Sequence, residues 1–171
     1  MNVKKIVLGE LNTNCYIVSI DDECIIIDPA DDFYSIKKEV KDFKVVGCLV
    51  THFHPDHIGA LEEVLSYYDL DINKVNSNKF KLEIVETFGH TRDSLSFYFK
   101  DENILFDGDF IFKDGVGRTD LGGSNRLMIE SINKLKEYPL EVILYPGHGD
   151  ETTIGREKVY FDNYIESFKI R

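Results

Sequence analysis

The histidines of this chain are placed where they could bind a metal ion. There are five, three of them within one six-residue stretch; they are His52, His54, His57, His90 and His148. Asp56 adds a carboxylate to that stretch, and imidazole and carboxylate groups are ligands that zinc, iron and manganese accept. A single histidine is more often a core or surface residue than a ligand, but here none remains for such a role. The pattern therefore predicts metal binding.

A predicted strand leads into the histidine-rich stretch. Residues 44–50 form an apolar run of strand length, and the chain then passes through His52 and His54 to Pro55. A residue that precedes proline is pushed out of the helical region, so His54 should be extended. Side chains two positions apart in an extended segment point the same way, so His52 and His54 can bind one ion.

A predicted helix follows the same stretch. Its apolar side chains recur at helical spacing, namely Ile58, Leu61, Leu65 and Tyr68. Proline suits the start of a helix, so Asp56 and His57 should lie near its first turn and point to a second ion. His90 and His148 lie in loops that follow apolar runs, where a scaffold commonly places functional residues.

Motifs along nearly the whole chain resemble those of the metallo-β-lactamase superfamily. In order they are Asn14-Cys15-Tyr16, Ile25-Ile26-Ile27-Asp28-Pro29, the histidine-rich stretch, Gly89-His90-Thr91, Gly108-Asp109 and Pro146-Gly147-His148-Gly149. The resemblance implies an α+β chain folded as a four-layer αββα sandwich, with residues 1–171 forming a single domain. Periodicity alone would predict only a mixture of α and β structure.

The resemblance also implies which side chains bind metal. Two divalent ions are implied, with zinc as the first choice and iron or manganese as alternatives. Two such ions can share a water and lower its pKa toward about 7. A hydroxide that bridges the ions would attack a carbonyl, with Asp56 and Asp109 as the catalytic residues. The implied ligands are His52, His54 and His90 for one ion, Asp56, His57 and His148 for the other, and Asp109 for both.

The identity of the ligands points to one branch of the superfamily. True lactamases place a cysteine near position 109 and flavin-linked di-iron reductases place a glutamate at position 54, whereas this chain has Asp109 and His54. The chain resembles the glyoxalase II branch, which hydrolyses thioesters of glutathione. In that branch a basic residue after a glycine helps to hold the substrate, which makes Arg118 a candidate substrate-binding residue. The alternative for Arg118 is a salt bridge to Asp120 or Asp109 that only orders the loop.

Several positions depart from the glyoxalase II pattern. Arg92-Asp93 stands where the branch usually has Pro-Gly, and Asp120 and Asp150 stand where it has glutathione-contacting tyrosines. We do not expect the helical C-terminal domain that completes the glutathione site in larger members, because the chain ends one helix after His148. The sequence therefore predicts thioester hydrolysis with a poor fit to glutathione.

Other interpretations stay open on the sequence alone. A mono-iron persulfide dioxygenase would use His52, His90 and Asp109 as a triad of two histidines and one carboxylate. A hydrolase of another ester or of a lactone is a further alternative. A non-catalytic metal-binding module is disfavoured, because a structural site is normally closed and this set leaves room for water. Three roles are possible for Asp28: a metal ligand, a hydrogen-bond partner of a metal ligand, or a cap. The resemblance to the superfamily favours the second role.

Charge and composition exclude some classes of partner. The chain has 171 residues and a formal charge of −11, which argues against nucleic acid or an anionic membrane as the main partner. A small-molecule thioester or ester is the expected substrate. No targeting segment or membrane span is apparent, and the oligomeric state stays open. Three cysteines in apolar runs indicate reduced, buried thiols in a cytoplasmic protein; they are Cys15, Cys24 and Cys48.

Local patterns predict the remaining elements. Strands are expected at 3–8, 13–20 and 24–28, and a final helix at about 155–168. Asp31 is the expected N-cap of the first helix, and Ser124 the cap of a later one. Residues 112–123 hold four glycines without periodicity, so we expect a loop at the site rather than a regular element.

Overall fold

The computed structural model describes residues 1–169, and the chain divides into two compact units, Met1–Lys81 and Leu82–Arg171. Over the described residues, each unit contains a five-stranded sheet, and the second unit has a small two-stranded sheet as well. Each unit also has its own cluster of buried apolar side chains. The expected mixture of α and β structure in two groups of strands is therefore confirmed.

The first unit is built on a sheet with the strand order β1-β2-β3-β4-β5. The strands β3 and β4 pair in parallel, whereas the other neighbours are antiparallel. A parallel pair needs a crossover, which here contains the first helix. The elements are β1 (Asn2–Leu8), β2 (Thr13–Ile20), β3 (Glu23–Ile27), α1 (Phe33–Glu39), β4 (Lys44–Leu49), α2 (Leu61–Tyr68) and β5 (Lys74–Val75).

The central strands of this sheet are buried along almost their whole length, which explains their continuous apolar runs. Ile36 and Val64 from the two helices pack into the same cluster as Ile17 and Ile26 from the sheet. The end of β4 is therefore held in a packed core, and the histidine-rich stretch begins three residues later, at His52. That attachment gives the stretch a rigid starting point.

The second unit contains a sheet with the strand order β12-β11-β8-β7-β6. The strands β8 and β11 pair in parallel, so the segments that follow them leave the same edge of the sheet. The elements are β6 (Glu83–Glu86), β7 (Leu95–Phe99), β8 (Ile104–Gly108), β9 (Ile111–Phe112), β10 (Gly115–Val116), α3 (Asn125–Leu135), β11 (Ile143–Pro146), β12 (Thr152–Thr153) and α4 (Ile154–Lys169).

The helix α3 follows the sequence prediction closely. The Ser124 side chain accepts a hydrogen bond from the Leu127 N–H and so caps the helix, as expected. The helix presents its apolar side to the core of the second unit through Met128, Ile132 and Leu135, all of them buried.

Two local predictions are wrong. The N-cap of α1 is Asp32, not Asp31, because Asp32 adopts a left-handed conformation (φ 46°) and accepts a hydrogen bond from the Ser35 N–H at 3.2 Å. Residues 112–123 are not wholly irregular, because β9 and β10 pair as a small hairpin around Asp114. Strands of two residues are too short to leave a periodic signal, which is why the sequence did not predict them.

Among residues 1–169, no helix is long and apolar enough to cross a membrane.

Candidate metal centre

The histidine-rich stretch is extended at His54, as predicted, but Asp56 and His57 lie in a turn of their own rather than in the first turn of the next helix. After β4 the chain stays extended, with φ −66° and ψ 143° at His54, and a single 3₁₀ turn then covers Pro55–His57. The regular helix begins only at Leu61, so the turn is separate from α2. His52 and His57 are buried, whereas His54 and Asp56 are half-buried. The four side chains are therefore held by local backbone geometry.

The distances within this stretch suit metal ligands. The Nε2 atom of His52 lies 3.1 Å from Nδ1 of His54, and Nε2 of His57 lies 3.5 Å from Oδ2 of Asp56. Two nitrogens bound at 2.0–2.1 Å to one tetrahedral ion lie about 3.3 Å apart, so both pairs match ligands of a shared ion. The His52 and His54 side chains lie close together, as predicted, and their binding of one ion stays a prediction.

Asp28 sets the orientation of two of these histidines. Its buried carboxylate accepts a hydrogen bond from Nδ1–H of His57 at 2.9 Å. It also accepts one from the Thr51 N–H and one from the Thr51 hydroxyl, each at 2.7 Å. Because that hydroxyl donates to Asp28, its oxygen accepts from Nδ1–H of His52 at 3.1 Å. Both rings therefore direct Nε2 toward the other candidate ligands. A carboxylate that accepts a hydrogen bond from the opposite ring nitrogen commonly orients a metal-binding histidine in this way.

Thr13 holds the Asp56 carboxylate, a contact that the sequence analysis missed. The Thr13 hydroxyl donates to Oδ2 of Asp56 at 2.8 Å, and Thr13 is buried at the start of β2. The only signal available in the sequence was its position beside the Asn14-Cys15-Tyr16 motif. Forty-three positions separate the two residues, so no local pattern could have paired them.

The second unit brings its three candidate ligands together around one carboxylate. The Oδ2 atom of Asp109 lies 3.5 Å from Nε2 of His90 and 3.5 Å from Nε2 of His148. The opposite nitrogen of His90, Nδ1, donates to the Arg118 carbonyl at 2.7 Å. Asp109 therefore stands between two imidazoles, and the hydrogen bond to the main chain determines which nitrogen of His90 faces it.

The glycines after β10 let the chain pass close to the ligand-bearing backbone. A Cβ atom on Gly117 would lie 1.8 Å from the Asp109 carbonyl oxygen. A Cβ atom on Gly123 would lie 2.1 Å from the Gly89 carbonyl oxygen. Neither contact is possible for a larger residue without movement of the backbone. These glycines are therefore needed for close approach rather than for a flexible loop.

Arg118 makes the salt bridge that the sequence analysis gave as its alternative role. Its Nε and second terminal nitrogen donate to the two carboxylate oxygens of Asp120 at 2.6 and 2.5 Å. This pairing lowers the pKa of Asp120 to about 2, so the carboxylate stays ionised at any ordinary pH. Asp150 is also paired, since it accepts from Lys113 at 3.3 Å. The role of Arg118 toward a substrate stays a prediction.

The cysteines are not metal ligands in this arrangement. All three are buried and free, as predicted. Burial raises the pKa of Cys24 and of Cys48 to about 12, and it raises that of Cys15 well above its usual range. They are therefore protonated thiols in the absence of metal, and within residues 1–169 no cysteine belongs to a cluster of side chains placed to hold a metal ion. The candidate donors are imidazoles and carboxylates, a set that suits a hydrolytic divalent ion.

A family model for the metallo-β-lactamase superfamily matches residues 8–75 and 78–148. The chain belongs to this superfamily. A probable metallo-hydrolase, YqgX of Bacillus subtilis, is 30% identical over 92% of this chain and 95% of its own length. The hydroxyacylglutathione hydrolase GloC of Haemophilus influenzae is 27% identical over 92% of this chain and 95% of its own length. The chain is therefore a metallo-hydrolase of the superfamily.

Solved structures agree with this assignment. The crystal structure of the B3 metallo-β-lactamase BLEG-1 has a TM-score of 0.87 and 29% identity, covering 95% of this chain and 99% of that one. The protein TTHA1623, solved in a di-iron-bound form, has a TM-score of 0.82 and 25% identity, covering 92% of this chain and 98% of that one. The metallo-β-lactamase fold that the sequence motifs predicted is confirmed.

Proposed function

We propose that this metallo-hydrolase cleaves thioesters by means of two divalent metal ions. The observation that carries the proposal is the position of Asp109 between His90 and His148, with one carboxylate oxygen 3.5 Å from a nitrogen of each. A carboxylate placed between two imidazoles is the arrangement that a bridging ligand needs.

The proposed ligands form two sets that share one member. The pairs of short distances in the histidine-rich stretch support assigning its side chains to two ions rather than one. The first ion would be held by His52, His54 and His90, the second by Asp56, His57 and His148, and Asp109 would be shared.

The ions would supply a shared water whose pKa is lowered toward about 7, so that it can attack a carbonyl near neutral pH. The chain supplies the rest. Asp28 keeps the proton of His57 on Nδ1, and Thr13 holds one oxygen of Asp56 by a hydrogen bond. With two dications bound, their charge would exceed that of Asp56 and Asp109, and the site would attract the electron-rich oxygen of a carbonyl.

A thioester is the proposed substrate class. The support is the presence of Asp109 instead of a cysteine, together with the similarity to a relative named as a hydroxyacylglutathione hydrolase. A thiolate is a good leaving group, so hydrolysis needs little more than a polarised carbonyl and an activated water.

We propose zinc as the native metal, and the di-iron relative makes iron the alternative to measure first. We also keep the prediction of a small-molecule substrate and a cytoplasmic protein.

Glutathione is not proposed as the thiol. Asp120 and Asp150 place carboxylates where the glutathione-specific branch has tyrosines, and glutathione carries carboxylates of its own. Arg118 is already engaged by Asp120 through two hydrogen bonds, so it binds a substrate carboxylate only by giving up that pair. Both effects should weaken the binding of a glutathione thioester, and neither involves a proposed metal ligand.

A thioester screen with protein of measured metal content tests the proposal. We expect release of free thiol from several acyl thioesters, loss of activity on chelation and recovery on addition of zinc. Oxygen esters and lactones with the same acyl groups serve as matched controls for the leaving group. A content of one iron per chain, with oxygen consumed on persulfides and no thioester cleaved, would instead identify a dioxygenase.

A further inference from the structure

Glu157, on the helix α4, is a buried carboxylate outside the proposed ligand set. Its exposed fraction is 0%, and a carboxylate is rarely removed from water to this extent unless hydrogen bonds compensate. One oxygen, Oε2, accepts from the backbone N–H of Asp114 at 2.9 Å. The other, Oε1, accepts from the Thr152 hydroxyl and lies 3.4 Å from Nε of Arg156. Both oxygens are therefore occupied.

The two donors belong to the two segments that carry proposed ligands. Asp114 is the turn residue of the β9–β10 hairpin, which follows Asp109 directly, and it has a left-handed backbone (φ 65°). Thr152 opens β12, four residues after His148. Glu157 therefore joins, through one side chain, the segment after Asp109 and the segment after His148.

Further contacts link the same two segments. The ring of Phe112 lies 6.3 Å from the ring of His148, centroid to centroid, and Lys113 donates to Asp150 at 3.3 Å. The Asp114 side chain accepts from Arg156 at 3.0 Å, so the turn is tied to α4 a second time. The hairpin is thus anchored where its side chains contact the His148 segment.

We propose that Glu157 is a positioning residue that sets the distance between Asp109 and His148. The inference rests on the proposed function, since it assumes that these two side chains bind metal. A carboxylate suits this role because it can accept from two separate donors at once, whereas a glutamine amide has only one acceptor oxygen.

Zinc binding by the full-length protein tests the inference without any substrate. The variants are Glu157→Gln, Glu157→Leu and Thr152→Val, the last of which removes only the hydroxyl on the His148 side. The control is Glu166→Leu on the same helix, because Glu166 is exposed and its carboxylate pairs with the exposed Lys169. Each protein is measured for zinc stoichiometry, for the affinity of each ion by chelator competition and for Tm without metal.

We expect a loss of about tenfold in the affinity of one of the two zinc ions for Glu157→Gln, the lower end of the range for partners of metal ligands. Thr152→Val should lower the affinity for the same ion, and Glu157→Leu should lower it further. Glu166→Leu should leave the affinities for both ions unchanged. Thioesterase activity of Glu157→Gln should recover at high zinc, which a purely structural defect would not show.

Unchanged affinities for both ions in Glu157→Gln and Thr152→Val would overturn the inference, even if Tm falls. If Glu157→Leu fails to fold, Thr152→Val decides the matter, since it keeps the shape of the side chain. A wild-type protein that binds only one ion would contradict the proposed function as well. A wild-type protein that binds two ions beside unaffected variants would contradict the role of Glu157 alone.

Discussion

Asp28 shows how one buried side chain can govern a group of ligands. It accepts from His57 directly and acts on His52 through the Thr51 hydroxyl, so both imidazoles keep their protons on Nδ1. Metal binding requires the opposite nitrogen to be unprotonated. The chemistry of the site therefore depends on a residue that touches neither ion in the proposed arrangement.

Replacing Asp28 with asparagine should weaken metal binding without unfolding the protein. The amide oxygen can still accept from the Thr51 N–H, but the amide nitrogen would face Nδ1–H of His57 with a second donor. The His57 proton should then move to Nε2, the nitrogen proposed to bind metal. We expect a loss of about 10- to 100-fold in affinity for one ion, measured by chelator competition. Asp101→Asn, in an exposed turn, is the control, and equal affinities in both variants would contradict the role of Asp28.

The pair formed by Arg118 and Asp120 leads to a prediction about substrate binding. An exposed pair of this kind is screened by solvent and contributes little to stability, so Arg118→Ala should leave Tm nearly unchanged. We expect wild-type protein to hydrolyse lactoyl-glutathione with a high KM and a substantial kcat, because binding is lost while the metal site is intact. Asp120→Asn should lower that KM by releasing Arg118 for a substrate carboxylate. A low-micromolar KM that Arg118→Ala does not change would refute both the poor fit and the anchor role.

At the level of elements, the segment after β10 is shaped by contact with the ligand-bearing backbone. Gly117 and Gly123 lie against the carbonyl groups of Asp109 and Gly89, and the Arg118 carbonyl accepts from His90. From the sequence alone, glycines without periodicity predict an irregular loop at 112–123. In the structure the same glycines are needed because this segment packs against both His90 and Asp109.

A matched pair of glycine substitutions tests whether these glycines are needed for close packing or for flexibility of the loop. A Cβ atom on Gly117 would meet the Asp109 carbonyl oxygen at 1.8 Å, whereas a Cβ atom on Gly115 would meet nothing within 4 Å. Gly117→Ala should therefore displace Asp109, lower stability by about 1–3 kcal/mol and reduce bound zinc. Gly115→Ala should change neither quantity. Thermal unfolding and elemental analysis measure the two effects, and equal behaviour of the variants would contradict this explanation.

At the level of the whole molecule, the net negative charge favours the binding of divalent cations. The formal charge of the chain is −11, so the protein as a whole attracts divalent cations rather than polyanions. Two bound divalent ions would offset the charge of the carboxylates in the proposed ligand set. The bound ions should therefore contribute to folding as well as to chemistry.

Removing metal should lower the thermal stability of the protein. With free zinc at 100 times the dissociation constant, binding to the folded state adds about 2.7 kcal/mol per site. For a chain of this length that corresponds to a fall in Tm of about 5–10 °C on chelation of one site. Calorimetry with and without chelator measures the shift, and addition of excess zinc should reverse it. A Tm that does not respond to zinc would contradict ligation by the proposed residues.

The sequence by itself determined which side chains could bind metal and how the central stretch is built. His52, His54 and Pro55 follow an apolar run, and the structure has the extended segment and the turn that this order predicts. Such features depend on neighbouring residues, whose steric and hydrophobic preferences can be read along the chain. The superfamily motifs added the fold, which the comparisons confirmed.

Only the tertiary structure decided how those side chains are held. The contacts from Asp28 to His57 and from Thr13 to Asp56 join residues 29 and 43 positions apart. The buried carboxylate of Glu157 gave no sign in the sequence, because on a helix it looks like any solvated acidic residue until both of its oxygens find donors from distant segments. Local preferences do not specify contacts of this kind. They form when packing brings separate strands together and leaves each buried polar group in need of a partner.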